Sequence, residues 1–243
     1  STNEEEEGKG ILTIESGTFT ITAAADGIQA ATNLQILGGD FTITTGGGSA
    51  NSSTTSEAWG TWGAPTEEAA TTTTEETTSA KGLKATGSLA ISGGTFVLDT
   101  SDDALHTNDT IQITGGDFTI ASGDDGIHAD NTVTIDDGTI DINQSYEGIE
   151  ATKIILNGGK ITLTATDDGI NAAGGNDASA VSGRPGENTF TSTAEGAGLL
   201  TINGGTLVAN ASGDGLDSNG SIEMNDGTVI VNGPTDSMNG TLD

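Results

Sequence analysis

An acidic residue, a small residue and then a large apolar one recur together along this chain. The phrase reads Asp26-Gly27-Ile28, Asp103-Ala104-Leu105, Asp125-Gly126-Ile127, Glu147-Gly148-Ile149, Asp168-Gly169-Ile170 and Asp214-Gly215-Leu216, and uninterrupted copies lie 22 or 21 residues apart. In three copies a second acid comes first: Asp102, Asp124 and Asp167. Two residues after the small one stand Gln29, Lys84, His106, His128, Glu150, Asn171, Asp217 and Asn239. These are expected to point outward, because the apolar residue between points inward. If the repeats stack, equivalent carboxylates come within about 5 Å and repel by roughly 3 kcal/mol at an effective dielectric of 20. Such a column either raises its pKa values or holds a cation. Oxygen ligands without Cys favour Ca²⁺, which takes six to eight oxygens at about 2.3–2.6 Å. The candidate ligands are Asp102, Asp103, Asp124, Asp125, Asp130, Glu147, Glu150, Asp167, Asp168, Asn171, Asp214 and Asp217. Each Asp has a second reading as a turn residue whose carboxylate accepts backbone N–H bonds.

The elements that position these residues follow from a second phrase, Ile36-Leu37-Gly38-Gly39-Asp40-Phe41, repeated as Ile91-Ser92-Gly93-Gly94-Thr95-Phe96 and Ile113-Thr114-Gly115-Gly116-Asp117-Phe118. Each repeat carries three short alternating segments, such as Leu105–Thr107, Ile111–Ile113 and Phe118–Ile120, so one face turns in and the other out. The Gly-Gly and Asp-Gly pairs supply the turns, since Gly accepts positive φ. A single repeat cannot bury its own apolar face, but a stack can. The pattern predicts an all-β fold, a right-handed parallel β-helix of about eight coils of about 22 residues, on the order of 35–40 Å long.

Three interior columns follow from that register. One runs Ile28, Leu83, Leu105, Ile127, Ile149, Ile170, Leu216 and Met238; a second Phe19, Phe41, Phe96, Phe118, Ile140, Ile161, Leu207 and Val229; a third Ile14, Ile36, Ile91, Ile113, Ile135, Leu156, Ile202 and Met224. The four Phe are expected to form an internal stack. Residues 1–243 read as one domain, with an acidic tail at 1–9 and inserted loops at 46–79 and 174–197 that lack the repeat.

Composition narrows the partners. Six basic residues against 36 acidic ones give a net charge of -30, which argues against nucleic acid and anionic membrane surfaces. Cys is absent, so disulfides and thiolate metal sites are excluded. No run is apolar enough for a signal peptide or a spanning helix, so an exported protein of this kind would carry its targeting segment outside these residues. The 22-residue period separates the chain from nine-residue toxin repeats, and no EF-hand loop is present. Candidate sugar contacts are Trp59, Trp62 and Tyr146, with His106 and His128 open to three readings: ligands, sugar contacts or an exposed polar ladder.

Four runs are more specific than a generic Asp-Gly turn. They are Asp124-Asp125-Gly126-Ile127-His128-Ala129-Asp130, Ser145-Tyr146-Glu147-Gly148-Ile149-Glu150, Asp167-Asp168-Gly169-Ile170-Asn171-Ala172 and Gly213-Asp214-Gly215-Leu216-Asp217-Ser218-Asn219-Gly220. In that order the chain resembles bacterial extracellular carbohydrate-binding domains with a polysaccharide-lyase-like right-handed β-helix. The resemblance covers roughly residues 10–240 apart from the insertions; the first coil is weaker, and Lys81 breaks the acidic column. It implies an extracellular or cell-surface protein that holds Ca²⁺ and binds cellulose or pectic polymers, as clostridial members do. Related pectate lyases use Ca²⁺ with a Lys or Arg base, and Lys84 is the best-placed base here. Three readings therefore stand: a non-catalytic Ca²⁺-stabilised binder of plant cell-wall polysaccharide, a Ca²⁺-dependent polysaccharide lyase, and a surface spacer that binds only Ca²⁺.

Overall fold

The computed structural model describes residues 9–52, 79–172, 198–235 and 239–243. Residues 1–8 of the expected tail, most of the first insertion with Trp59 and Trp62, all of the second insertion, and Met238 lie outside them. Within them the protein is all-β, with one short 3₁₀ turn at Ser49–Asn51. Every strand pairs in parallel with its counterpart in the next repeat, as in Leu12↔Leu34↔Leu89 and Phe19↔Phe41↔Phe96.

The pairing forms three stacks. The first holds Ile28–Ala30, Leu83–Ala85, Leu105–Thr107, the start of Ile127–Ile135, the start of Ile149–Leu156, Ile170–Ala172 and Leu216–Ser218. The second holds Leu12–Ile14, Leu34–Ile36, Leu89–Ile91, Thr110–Ile113, the ends of the same two long strands, Leu199–Ile202 and Ser221–Met224. Because the two long strands run through the corner, these two stacks join into one 13-stranded sheet. The third is a separate sheet of eight strands, from Thr18–Ala23 to Thr228–Asn232.

Register places the three expected interior columns as read from the sequence except in the last repeat, where Met224 is 47 % exposed and Leu242 takes the place beside Leu216 expected of Met238. Ile127, Ile149 and Ile170 are fully buried, as are Ile113, Ile135 and Ile140, and each such side chain contributes roughly 1.5–3 kcal/mol by leaving water. Phe19, Phe41, Phe96 and Phe118 stack with centroids 4.8, 4.8 and 4.5 Å apart. At the last repeat, Leu216 pairs with Leu242.

The two glycine columns exist for different reasons. Gly39, Gly94, Gly116 and Gly138 have φ of 122, 115, 118 and 123°, where an L side chain is strained. The glycines after the acids do not share that backbone, which corrects the expectation that they permit a left-handed turn. A Cβ at Gly126, Gly148 or Gly169 would meet the carbonyl of the next repeat's glycine, at 2.7 Å for Gly126 and 2.5 Å for Gly169. Close approach of successive repeats, and not φ, keeps those positions small.

Candidate metal centre and acidic column

The corner before each acid is fixed from inside. Thr45, Thr100, Ser122 and Ser145 occupy one buried column. Thr100 Oγ1 donates to the carbonyl of Asp102 at 2.7 Å, and Ser122 Oγ to that of Asp124 at 3.0 Å. Tying each carbonyl inward sets the corner from which the acidic pair projects.

One carboxylate oxygen of each column aspartate, though not of Glu147, then accepts the backbone N–H of the residue that follows it in the column. Asp26 accepts from Lys81 at 3.0 Å, Asp103 from Asp125 at 3.1 Å, Asp125 from Glu147 at 3.2 Å and Asp168 from Asp214 at 2.6 Å. Asp214 accepts from Gly240. The turn reading of Asp is thus realised between repeats. Where Lys81 interrupts the column and offers no acceptor, the N–H of Asp103 goes to Asp102 Oδ1 instead, at 2.9 Å.

The remaining oxygens gather into three groups, each within 4.8 Å: Asp102, Asp103 and Asp124; Asp125, His128 and Glu150; Asp168, Asp214 and Asp217. The first contains the Lys81 ammonium, 2.8 Å from Asp102 and 2.6 Å from Asp103. Burial alone would push Asp103 up; Lys81 and the neighbouring histidines instead hold it well below the usual carboxylate range. Burial likewise opposes the charge on Lys81, and Asp103 and Asp102 more than restore it, so its pKa is raised.

The second group is built around an imidazole. His128 Nδ1 lies 2.8 Å from Glu150 and 3.1 Å from Asp125, and Nε2 lies 3.3 Å from Asp130. A ring nitrogen facing carboxylates is attractive only as a donor. Burial disfavours the charged ring, but the three carboxylates outweigh it and raise the pKa of His128 well above its ordinary value. Asp125 is pushed up by burial and by Asp124, while Asp130 is lowered because hydrogen bonds from His128 and Asn108 overcome burial. His106 Nδ1 pairs with Asp103 at 2.8 Å, and the two imidazoles stack at 5.1 Å. The exposed-ladder reading of the histidines is corrected here: His106, His128 and Asn171 are 4, 1 and 0 % exposed and form a second, polar layer of buried contacts.

The third group has carboxylates only. Among the described residues no Lys, Arg or His lies within ion-pair distance of Asp168, Asp214 or Asp217. Burial, then the Asp167 charge, pushes Asp168 up to about 8; burial, then Asp214, pushes Asp217 up to about 6. Glu147 stands apart from the three groups: Asn171 Nδ2 donates to both its oxygens at 2.9 Å, and burial with Glu150 and Asp125 raises its pKa well above the ordinary value. Tyr146 hydrogen-bonds Asp167, and burial followed by that bond raises the phenol pKa.

Lys84, the best-placed base, faces Asp26 at 3.3 Å and donates to Ser79 Oγ at 2.9 Å. Two shallow cavities of about 400 and 430 Å³ lie elsewhere, one beside Ile222, Met224 and Leu242, the other at the corner formed by Gly116, Gly138 and Gly159. The acidic column runs along one corner of the stack as a ribbon.

Sequence reasoning missed the side-chain amide ladder before the glycine corner. Gln112 and Asn157 both donate to Asp136, Asn203 to Asn157 and Asn225 to Asn203, at 2.7–3.1 Å. Its signal was present: Asn157, Asn203 and Asn225 hold the same place relative to the corner in successive repeats.

Fold and site together define an all-β, parallel-stranded repeat protein with a ribbon of carboxylates down one corner. A family model described as "Carbohydrate-binding domain-containing protein" matches residues 1–126 and again 122–240, and the chain belongs to that family. Membership supports a carbohydrate-binding role. No curated protein and no solved structure matches the chain.

Proposed function

We propose that this chain is a non-catalytic, Ca²⁺-stabilised carbohydrate-binding protein of the extracellular space or cell surface, folded as a right-handed parallel β-helix. The carbohydrate role rests on the family match over nearly the whole chain. The β-helix reading is supported by parallel pairing of every strand with its counterpart one repeat away, and right-handed crossovers are the strong preference for parallel strands. The proposed polymers are plant cell-wall polysaccharides, cellulose or polygalacturonate, carried over from the resemblance of the acidic runs.

Calcium is the proposed ion because of one donor set. Asp168, Asp214 and Asp217 offer carboxylate oxygens only, partly withdrawn from water, with like charges that a divalent ion would relieve. A bound ion supplies positive field beside an otherwise acidic ribbon, which is what a polyuronate requires of a protein with net charge -30. A lyase base needs a free amine beside the metal. Lys81 and Lys84 are instead engaged with carboxylates, and both lie toward the other end of the ribbon.

The test is retention on insoluble cellulose and on immobilised polygalacturonate, with CaCl₂ and with EDTA. Retention on either polymer supports binding, and loss of polygalacturonate retention in EDTA supports the calcium bridge. No retention on any polysaccharide would sink the proposal. Growth of unsaturated-product absorbance on uronans would replace it with the lyase reading.

A further inference from the structure

Each aspartate of the column uses its two oxygens differently. One accepts the N–H of the next repeat; the other, in the first half of the ribbon, faces a side-chain cation. Asp26 Oδ2 faces Lys84 at 3.3 Å, Asp103 Oδ2 faces Lys81 at 2.6 Å, and Asp125 Oδ2 faces His128 at 3.1 Å. Lys81 itself stands in the column, in the place held by Asp or Glu at residues 26, 103, 125, 147, 168 and 214. Its stem is long enough to carry Nζ across to Asp102 and Asp103 of the following repeat, where it is almost fully buried. Lys in place of Asp changes the local charge by two, the charge of one divalent ion. An ammonium and a divalent ion cannot share the same oxygens, since each would sit within a few ångströms of the other.

We propose that Lys81 is the resident cation of the Asp102, Asp103 and Asp124 group, so that this group closes without a metal while calcium binding is confined to the repeats toward Asp217. The inference rests on the calcium reading above for its second half only. The Lys81 half stands on its ion pairs with Asp102 and Asp103.

Calcium bound per chain is counted by equilibrium dialysis with metal analysis, on the full chain, for the wild type, Lys81→Asp, Asp103→Asn and Asp217→Asn. Lys81→Asp restores the acid of the column and is expected to bind one more ion than the wild type. Its melting temperature in EDTA is expected to fall below that of the wild type and to recover on adding CaCl₂. Asp103→Asn is expected to leave the count unchanged, and Asp217→Asn to lower it by one. A Lys81→Asp variant that calcium neither binds nor rescues overturns the proposal, as does a loss of one ion in Asp103→Asn. If Asp217→Asn changes nothing while Lys81→Asp still gains an ion, the calcium site at Asp217 fails and the role of Lys81 stands.

Discussion

The two ends of the acidic ribbon solve one electrostatic problem in opposite ways. Toward the N-terminus, Asp26, Asp102 and Asp103 meet Lys84 and Lys81, and Asp125 meets His128. Toward the C-terminus, Asp168, Asp214 and Asp217 face one another, with no side-chain cation near them among the described residues. The backbone arrangement is the same at both ends, since Asp103 and Asp168 each accept the next repeat's N–H. The difference lies in the second oxygen, and it shows that a stacked Asp serves the fold through one atom and leaves the other for chemistry.

The largest expected effect comes from breaking the self-neutralised end. Lys81→Met leaves Asp103, only 1 % exposed, without its ammonium and with His106 alone facing Oδ2, and removing one member of a buried pair costs about 3–5 kcal/mol. Urea unfolding in EDTA measures the loss; a change under about 1 kcal/mol would show that the pair contributes little.

The pH response should separate the two ends. Asp103 has a depressed folded pKa, so its contribution is present above the unfolded value near 3.8 and is lost as pH falls through the folded value. Asp168 and Asp217 have raised values, about 8 and about 6, so the folded state retains protons that the unfolded state releases. Their penalty grows from the unfolded value near 3.8 and is complete only above the folded values. In EDTA, peptides around Asp168–Asp217 are expected to lose hydrogen-exchange protection, corrected for intrinsic rate, between pH 5 and 8, while those around Lys81–Asp103 hold. Calcium should abolish the loss. Uniform behaviour along the chain would erase the comparison.

Smaller effects sharpen it further. His128→Gln removes the donor shared by Asp125, Glu150 and Asp130 and is expected to cost about 1–3 kcal/mol in denaturant melts. Asp217→Asn in EDTA removes a like charge from a half-exposed group and should stabilise by no more than about 1 kcal/mol. The same change in saturating calcium should destabilise, so the sign reverses with the ion. Smallest is Asn203→Ala, which cuts an exposed amide ladder and should cost about 0.5 kcal/mol irrespective of calcium.

Much of the architecture was legible because period-two alternation leaves an interior residue no choice of face. Ile127 or Phe96 turned outward would reverse its whole strand. The acidic residues were legible as a column for the same reason. Their grouping was not: Asp124 and Asp125 are adjacent in sequence, yet Asp124 joins Asp102 and Asp103 while Asp125 joins His128 and Glu150. Neighbouring residues on an extended chain point to opposite sides, and partner choice depends on which repeat each side chain leans toward.

The sequence by itself determined the period, most of the three apolar columns, the phenylalanine stack and the presence of a line of carboxylates. Each is a consequence of spacing, since identical repeats placed in register must superimpose like on like. Only the tertiary structure decided that His106, His128 and Asn171 are buried, that the glycines after the acids are demanded by the approach of the next repeat, and that Lys81 reaches across to Asp102 and Asp103. Those outcomes depend on distances of a few ångströms between repeats and on the reach of individual side chains, which residue spacing does not encode.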